Sequence, residues 1–174
     1  MADMKDQRAT APSTDIAPAR EPGTEQVGAL CWRPSPDGIE VLLITSRDTG
    51  RWVIPKGGLI AGMDAANSAQ REAWEEAGVE GELTMGEALG SFDYDKLVRK
   101  RTVARRCCVA VYSLRVERLA EDFPERAQRQ RQWFAPAEAA ARVQERDLSR
   151  LFEALAHAPH RLTGARPGDA AKAG

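Results

Sequence analysis

One stretch of the chain, residues 64–78, constrains both how the chain can fold and what it can bind. Three glutamates in this stretch, Glu72, Glu75 and Glu76, are spaced i, i+3 and i+4. At 3.6 residues per turn, this spacing places the three carboxylates on one face of a helix. Alanines recur at helical spacing on a neighbouring stripe: Ala66, Ala69, Ala73 and Ala77. The pattern predicts a helix that packs closely on a sheet while it presents three acidic groups.

Three carboxylates on one face repel one another. Two such groups about 6 Å apart repel by roughly 3 kcal/mol at an effective dielectric constant of 20. A partly buried cluster therefore needs a cation, and hard oxygen ligands favour Mg²⁺ or Mn²⁺. The loop that leads into the helix, residues 55–58, contains Gly57 and Gly58. Because glycine permits a close backbone approach, a carbonyl or amide of this loop can face a ligand.

The rest of the chain alternates strand-like and helix-like segments. Apolar runs of strand length are found at 27–32, 41–44, 52–54, 83–94, 102–116 and 132–134. Helical periodicity is found at 64–77, 136–143 and 148–158. Strands with interspersed helices predict a layered α/β sandwich. The flanking segments lack apolar periodicity, so we expect one domain at 25–159 between disordered tails at 1–24 and 160–174.

Charge and hydropathy exclude several kinds of partner. The net charge of −1 gives no overall attraction to nucleic acid or to a membrane surface. No apolar segment approaches the roughly 20 residues that cross a bilayer, and the N-terminus lacks the apolar run of a secretory signal. The three cysteines have no metal-site spacing, so reduced thiols in a cytoplasmic protein are expected.

Basic residues are nevertheless concentrated in places. One run contains Lys96, Arg99, Lys100, Arg101, Arg105 and Arg106. Arg47, Arg51 and Lys56 lie close to the acidic helix in the sequence. Arginine binds phosphate oxygens in a bidentate manner and lysine binds them as a point charge. These clusters predict a substrate that carries several phosphates.

The loop and the helix together resemble the box of the Nudix hydrolase family. That box consists of Gly, five residues, Glu, seven residues, and then Arg-Glu-apolar-x-Glu-Glu-x-Gly-apolar. Gly57 and residues 71–79 fit, whereas Met63 occupies the position of the first glutamate. The resemblance implies a mixed sheet between helices, an α/β/α sandwich.

The resemblance also implies roles for individual residues. Glu75 and Glu76 would bind metal together with a backbone carbonyl of Gly57, while Glu72 would bind metal or act as general base on the attacking water. Arg71 would hold the glutamates in place. The side chain at position 63 supports the metal site in the family, so Met63 implies activity with fewer metals or weaker metal affinity.

Further motifs are similar to those of one branch, the diphosphoinositol polyphosphate phosphohydrolases, which also cleave diadenosine polyphosphates. They are Ser46-Arg47, residues 51–55, the box helix, the basic turn and residues 132–134. The branch implies a Mg²⁺-dependent hydrolase of phosphoanhydride bonds in a polyphosphorylated small molecule. The implied substrate contacts are Ser46, Arg47, Lys56, Gly58, Lys96, Lys100 and Arg101. Lys56 departs from the branch, which carries another glycine there.

Two other functions are open to such a chain. An RNA 5′-end pyrophosphohydrolase could use the basic turn against the RNA backbone, but the chain is slightly acidic and shows no aromatic stacking platform. A Nudix-fold sensor could bind a nucleotide without hydrolysing it, which Met63 makes possible. The intact set Glu72, Glu75 and Glu76 argues against that second alternative.

Overall fold

The computed structural model describes residues 20–98 and 103–164 of the chain. In these residues the strands are β1 (Arg20–Ser35), β2 (Gly38–Thr45), β3 (Trp52–Val53), β4 (Lys56–Gly58), β5 (Val79–Leu83), β6 (Gly90–Val98), β7 (Val103–Leu119) and β8 (Arg131–Phe134). The α-helices are α1 (Ala65–Ala77), α2 (Pro136–Arg142) and α3 (Arg146–His157). Short 3-10 turns are found at Arg126–Gln128 and Pro159–Thr163.

All eight of these strands belong to one mixed sheet. Its main path runs β3-β2-β1-β7-β5, while β4 pairs with β1, β6 with β7 and β8 with β2. The long central pair β1–β7 is parallel and aligns Val27 with Ala110. The remaining pairs are antiparallel. The predicted mixed sheet is therefore confirmed.

Alternation along the central strands produces two separate cores. Leu30 and Trp32 of β1 face α2 and α3, whereas Ala29 and Cys31 face α1. Both cores contain fully buried side chains from the same strands, because successive residues of a strand point to opposite faces. Helices thus cover both faces of the sheet, which confirms the predicted α/β/α sandwich.

Local signals fix the position of helix α1. Asp64 is its N-cap, and its Oδ1 accepts a hydrogen bond of 2.8 Å from the backbone N–H of Asn67. The helix ends at Gly78, which adopts the left-handed region with φ 64°. Ala69, Ala73 and Ala77 are fully buried against the sheet. The alanine stripe therefore seats α1 closely, and the glutamate face is held beside β4.

Two predicted strand boundaries were wrong. The single strand expected at 83–94 is two strands, β5 and β6, that follow one another along β7. Leu83 aligns with Leu114 and Gly90 with Val111, so residues 84–89 oppose only two residues of β7 and must leave the ladder. In addition, Lys56, Gly57 and Gly58 pair with β1 instead of forming only a loop.

The expected tail boundaries also differ from the structure. Strand β1 already begins at Arg20, inside the segment 1–24 that was expected to be disordered. At the other end, residues 160–163 belong to a 3-10 turn whose Leu162 is fully buried in the core of α2 and α3. The hydroxyl of Ser113 donates a hydrogen bond of 2.8 Å to the Leu162 carbonyl. Burial of one leucine thus extends the ordered structure beyond residue 159.

None of the described helices is both long enough and apolar enough to cross a bilayer.

Candidate active site

The glutamate face of α1 meets β4 at the edge of the sheet. The backbone N–H of Lys56 donates a hydrogen bond of 3.0 Å to Oε2 of Glu76. A Cβ atom at Gly57 would lie 2.2 Å from the carboxyl carbon of Glu72, a distance that real Cβ atoms do not show. Only glycine therefore allows the strand to approach the Glu72 carboxylate this closely. The structure thus brings Gly57, Glu72 and Glu76 together.

The acidic face carries an excess of negative charge. Burial first, and then the neighbouring Glu76, Glu75 and Glu125, raise the pKa of Glu72 to about 7, while Arg129 opposes the shift. The pKa of Glu76 is also raised, first by burial. A proton is therefore held more tightly at Glu72 than at an ordinary carboxylate.

Arg129 is the principal counter-charge of this face, although the sequence did not single it out. Its side chain is 6% exposed, and Nη2 donates to Oε1 of Glu76 at 2.6 Å. Its Nε donates to Oε2 of Glu125 at 2.8 Å, and Nη1 donates to the Thr45 carbonyl at 3.0 Å. The one feature of the sequence that could have indicated an ion pair of Arg129 is its i, i+4 spacing from Glu125. Arg129 therefore ties the segment before β8 to the acidic helix and to the end of β2.

Glu75 is turned toward a different arginine. Nε of Arg71 donates to Oε1 of Glu75 at 2.8 Å, and both side chains are exposed. Exposed pairs of this kind contribute roughly 0–1 kcal/mol. Glu75 can therefore leave Arg71 at little cost, and the position of Arg71 agrees with its implied role of orienting a glutamate.

The donor chemistry of this face fits a hard divalent cation. Glu72, Glu75 and Glu76 offer only oxygen atoms, and their mutual repulsion is what a cation would remove. Within the described ranges, no three His, Cys, Asp or Glu side chains already form a metal-ligating group. Glu75 is paired with Arg71 and Glu76 with Arg129, so the side chains would have to reorient to share an ion.

Met63 does not lie beside the glutamates. Its side chain is 40% exposed and lines a groove of about 560 Å³ together with Asn67, Arg71 and Trp74. Asn67 and Glu76 are nine residues apart, which places them on opposite sides of a helix. Arg71 lines the same groove as Met63 and pairs with Glu75, so it connects this groove with the glutamate face.

The predicted substrate contacts are only partly brought together. Arg47 forms an ion pair of 3.1 Å with Glu125, which links it through Arg129 to the acidic face. The hydroxyls of Ser46 and Thr49 lie 2.5 Å apart. Gly58 is exposed, with open space where a side chain would project.

Two of the predicted lysine contacts, Lys56 and Lys96, lie on the Tyr94 side of β6. Nζ of Lys56 lies 4.8 Å from the centre of the Tyr94 ring. Burial lowers the pKa of Lys56, an effect that Glu76 opposes. Lys96 is exposed on β6, on the same side as Tyr94 because it lies two positions further along the strand. Lys100 and Arg101 lie outside the described residues.

A buried ion pair near Lys56 was also missed. Nη1 of Arg51 lies 2.7 Å from Oε1 of Glu145, whose side chain is 4% exposed. Glu145 precedes the first residue of α3, and its charge raises the pKa of Lys56. No local pattern distinguishes Glu145 from the many surface glutamates, so only the packing of α3 reveals it.

The raised pKa of Glu72 makes the stability of the metal-free protein depend on pH. The ordinary pKa is 4.5 and the folded value is about 7, so the folded protein binds more protons in that interval. Stability contributed by the protonated group is complete below pH 4.5 and is lost as the pH rises through about 7. We expect Glu72→Gln to gain stability relative to wild type from about pH 5 to pH 8. Urea unfolding in EDTA measures this, and parallel pH curves would contradict it.

The chain is similar to known proteins over most of its length. The NUDIX domain family matches residues 24–155. Human diphosphoinositol polyphosphate phosphohydrolase 3-alpha is 34% identical over 112 residues, which are 63% of this chain and 63% of that protein. Mouse diphosphoinositol polyphosphate phosphohydrolase 2 is 32% identical over 117 residues, 66% of this chain and 60% of that protein. The match thus spans less than two thirds of either relative's length.

Solved structures show the same fold. An Ap4A hydrolase of C. elegans superimposes with a TM-score of 0.51 and 17% sequence identity, covering 77% of this chain and 96% of that chain. The predicted resemblance is confirmed, because the family match extends over most of the chain and includes Gly57 and the complete helix α1. The chain belongs to the Nudix family.

Proposed function

We propose that this chain is a Mg²⁺-dependent hydrolase of a phosphoanhydride bond in a polyphosphorylated small molecule. A diphosphoinositol polyphosphate or a dinucleoside polyphosphate is the substrate class that its relatives' names support. The observation that carries the proposal is the Glu72 carboxylate, which lies against Gly57 and whose pKa in the metal-free protein is raised by burial and by Glu76 and Glu75. A divalent cation would remove this repulsion, and a carboxylate positioned in this way can act as a general base.

The family generally uses divalent metal ions such as Mg²⁺. In this chain Glu72, Glu75, Glu76 and the Gly57 carbonyl would hold the ion. When bound there, Mg²⁺ would supply positive charge for the phosphate oxygens and the attacking water. Glu72 would accept the proton of that water. Before the ion binds, Arg71 and Arg129 would hold Glu75 and Glu76 by the ion pairs that they form in the metal-free protein.

Substrate choice would depend on basic residues around this face. Arg47, Lys56, Lys96 and the segment 99–101 carry more positive charge than one diphosphate needs. Ser46 and Gly58 would add a hydroxyl and an open backbone position. The proposed specificity is therefore for ligands with several phosphates. A cytoplasmic location and the absence of nucleic-acid partners stay predictions.

The proposal is tested by a phosphate-release screen of the purified chain with Mg²⁺ or Mn²⁺. The substrates are nucleoside, dinucleoside and inositol polyphosphates, a nucleoside diphosphate sugar and a 5′-triphosphorylated RNA. Preferred release from the polyphosphates supports the proposal. Preference for the sugar nucleotide or the RNA would reject it, and tight nucleotide binding without release would indicate a sensor.

Arg47 allows a sharper test of the substrate class. It is more than half exposed, so its replacement by Gln should leave the fold intact. If Arg47 binds a distal phosphate, its loss removes a charge-assisted hydrogen bond worth roughly 1.5–3 kcal/mol. We expect kcat/KM to fall by roughly one to two decades on a substrate with five or more phosphates, and much less on a nucleoside diphosphate derivative. Equal losses of kcat/KM on both substrates would show that Arg47 contributes only to the fold or to the overall electrostatic potential of the protein.

A further inference from the structure

A cavity of about 410 Å³ lies beside the C-terminal end of α1. Its lining consists of Glu121, Phe123, Arg126, Arg129 and Arg131. Three of these five residues are arginines. Arg129 also bonds Glu76, so the cavity adjoins the candidate active site. Of the predicted substrate contacts within residues 20–98, none lines it.

The three arginines differ in how their charge is balanced. Arg129 is neutralised by Glu76 and Glu125. Across residues 20–98 and 103–164, neither Arg126 nor Arg131 forms an ion pair with a carboxylate. The two guanidinium groups are close enough that Arg126, after burial, lowers the pKa of Arg131. The cavity therefore holds two guanidinium groups without a carboxylate partner and one carboxylate, Glu121, so positive charge is in excess.

Arg131 is held in place by contacts with the end of α1 and with Phe123. Nη1 of Arg131 donates a hydrogen bond of 2.7 Å to the Ala77 carbonyl at the end of α1. Its guanidinium carbon lies 4.9 Å from the centre of the Phe123 ring. These contacts fix Arg131 but use only one of its N–H donors. They do not involve the side chain of Arg126, which is exposed and has no hydrogen-bond partner in the described part of the chain.

We propose that Arg126 and Arg131 form a binding subsite for a phosphate group. A planar guanidinium presents paired N–H donors that match phosphate oxygens, and two such groups without a carboxylate partner favour a dianion. The Glu121 carboxylate on the cavity wall opposes the anion and sets the affinity below its maximum. The phosphate belongs either to the distal part of the substrate, which rests on the proposed function, or to free inorganic phosphate.

The subsite is tested by titrating the metal-free full chain with inorganic phosphate and following the ¹H–¹⁵N NMR spectrum. The variants are Arg126→Gln, Arg131→Gln and Glu121→Gln. Arg118→Gln is the matched control, because Arg118 is exposed, pairs with Glu80 and does not line the cavity. We expect Kd to rise by about tenfold in Arg126→Gln, the loss of one charge-assisted contact. Glu121→Gln should lower Kd, and Arg118→Gln should leave it unchanged.

An unchanged Kd in Arg126→Gln would overturn the subsite. Because Arg126 is exposed, this variant remains informative even if Arg131→Gln fails to fold. The titration needs no turnover, so it decides on the subsite even if the phosphate-release screen rejects the proposed function.

Kinetics then identify the source of the phosphate. If the subsite binds a distal phosphate, Arg126→Gln should lower kcat/KM on substrates with five or more phosphates and spare a nucleoside diphosphate derivative. A raised Kd for inorganic phosphate with unchanged kinetics on both substrates assigns the subsite to free phosphate. Either result supports the subsite.

Discussion

Glu72→Gln is expected to lower kcat by roughly 10²–10⁴-fold, the usual contribution of a positioned acid or base. The substitution keeps the size of the side chain and removes the carboxylate that would accept the proton of the attacking water. Since Glu72 lies against Gly57 and is only partly buried, the amide should fit the same space. The measurement is steady-state hydrolysis of the best substrate from the screen at saturating Mg²⁺.

The matched control for Glu72→Gln is Glu80→Gln. Glu80 lies on β5, and its side chain pairs with Arg118. We expect the control to retain wild-type kcat, and both variants to retain cooperative unfolding. A near wild-type rate in Glu72→Gln would remove Glu72 from the mechanism.

Arg129→Met is expected to lower the free energy of unfolding by about 3–5 kcal/mol near neutral pH, the usual cost of breaking a buried ion pair. The substitution preserves an unbranched chain but leaves Glu76 and Glu125 without their shared cation. It also leaves the Thr45 carbonyl without the donor that Nη1 supplies. Urea unfolding of the metal-free protein measures the loss.

The matched control for Arg129→Met is Arg118→Met. Arg118 pairs with Glu80 but is 70% exposed, so its loss should cost less than about 1 kcal/mol. Equal losses in both variants would show that Arg129 makes no special contribution to the acidic face. A selective loss in Arg129→Met identifies the ion-pair network as the anchor of that face.

The spacing of residues in α1 was sufficient to predict its role in the fold. Capping by Asp64, termination at Gly78 and the buried alanine stripe all depend on residues within one or two turns of each other. The same holds for β1 and β2, where alternation distributes apolar residues between two cores. Such patterns are readable because hydrogen bonding and side-chain direction repeat over short intervals.

The ends of β5 and β6 could be located only from their pairing with β7. Both have acceptable strand sequences, but both pair with β7, and residues 84–89 exceed the space left between Leu114 and Val111. Similarly, Leu162 looks like part of a polar tail until its burial against α3 and β7 is seen. Register and burial are properties of two segments together, so one segment cannot reveal them.

For the candidate site too, some features could be predicted from the sequence and others only from the tertiary structure. The sequence by itself determined the shared face of Glu72, Glu75 and Glu76 and the glycine loop that precedes it. Only the tertiary structure decided that Arg129, 53 residues from Glu76 along the chain, neutralises that face. It also decided that Met63 faces a separate groove. Helical periodicity relates residues that are close in the sequence. An ion pair requires only that two charges are close in space, and the two residues can be far apart in the sequence.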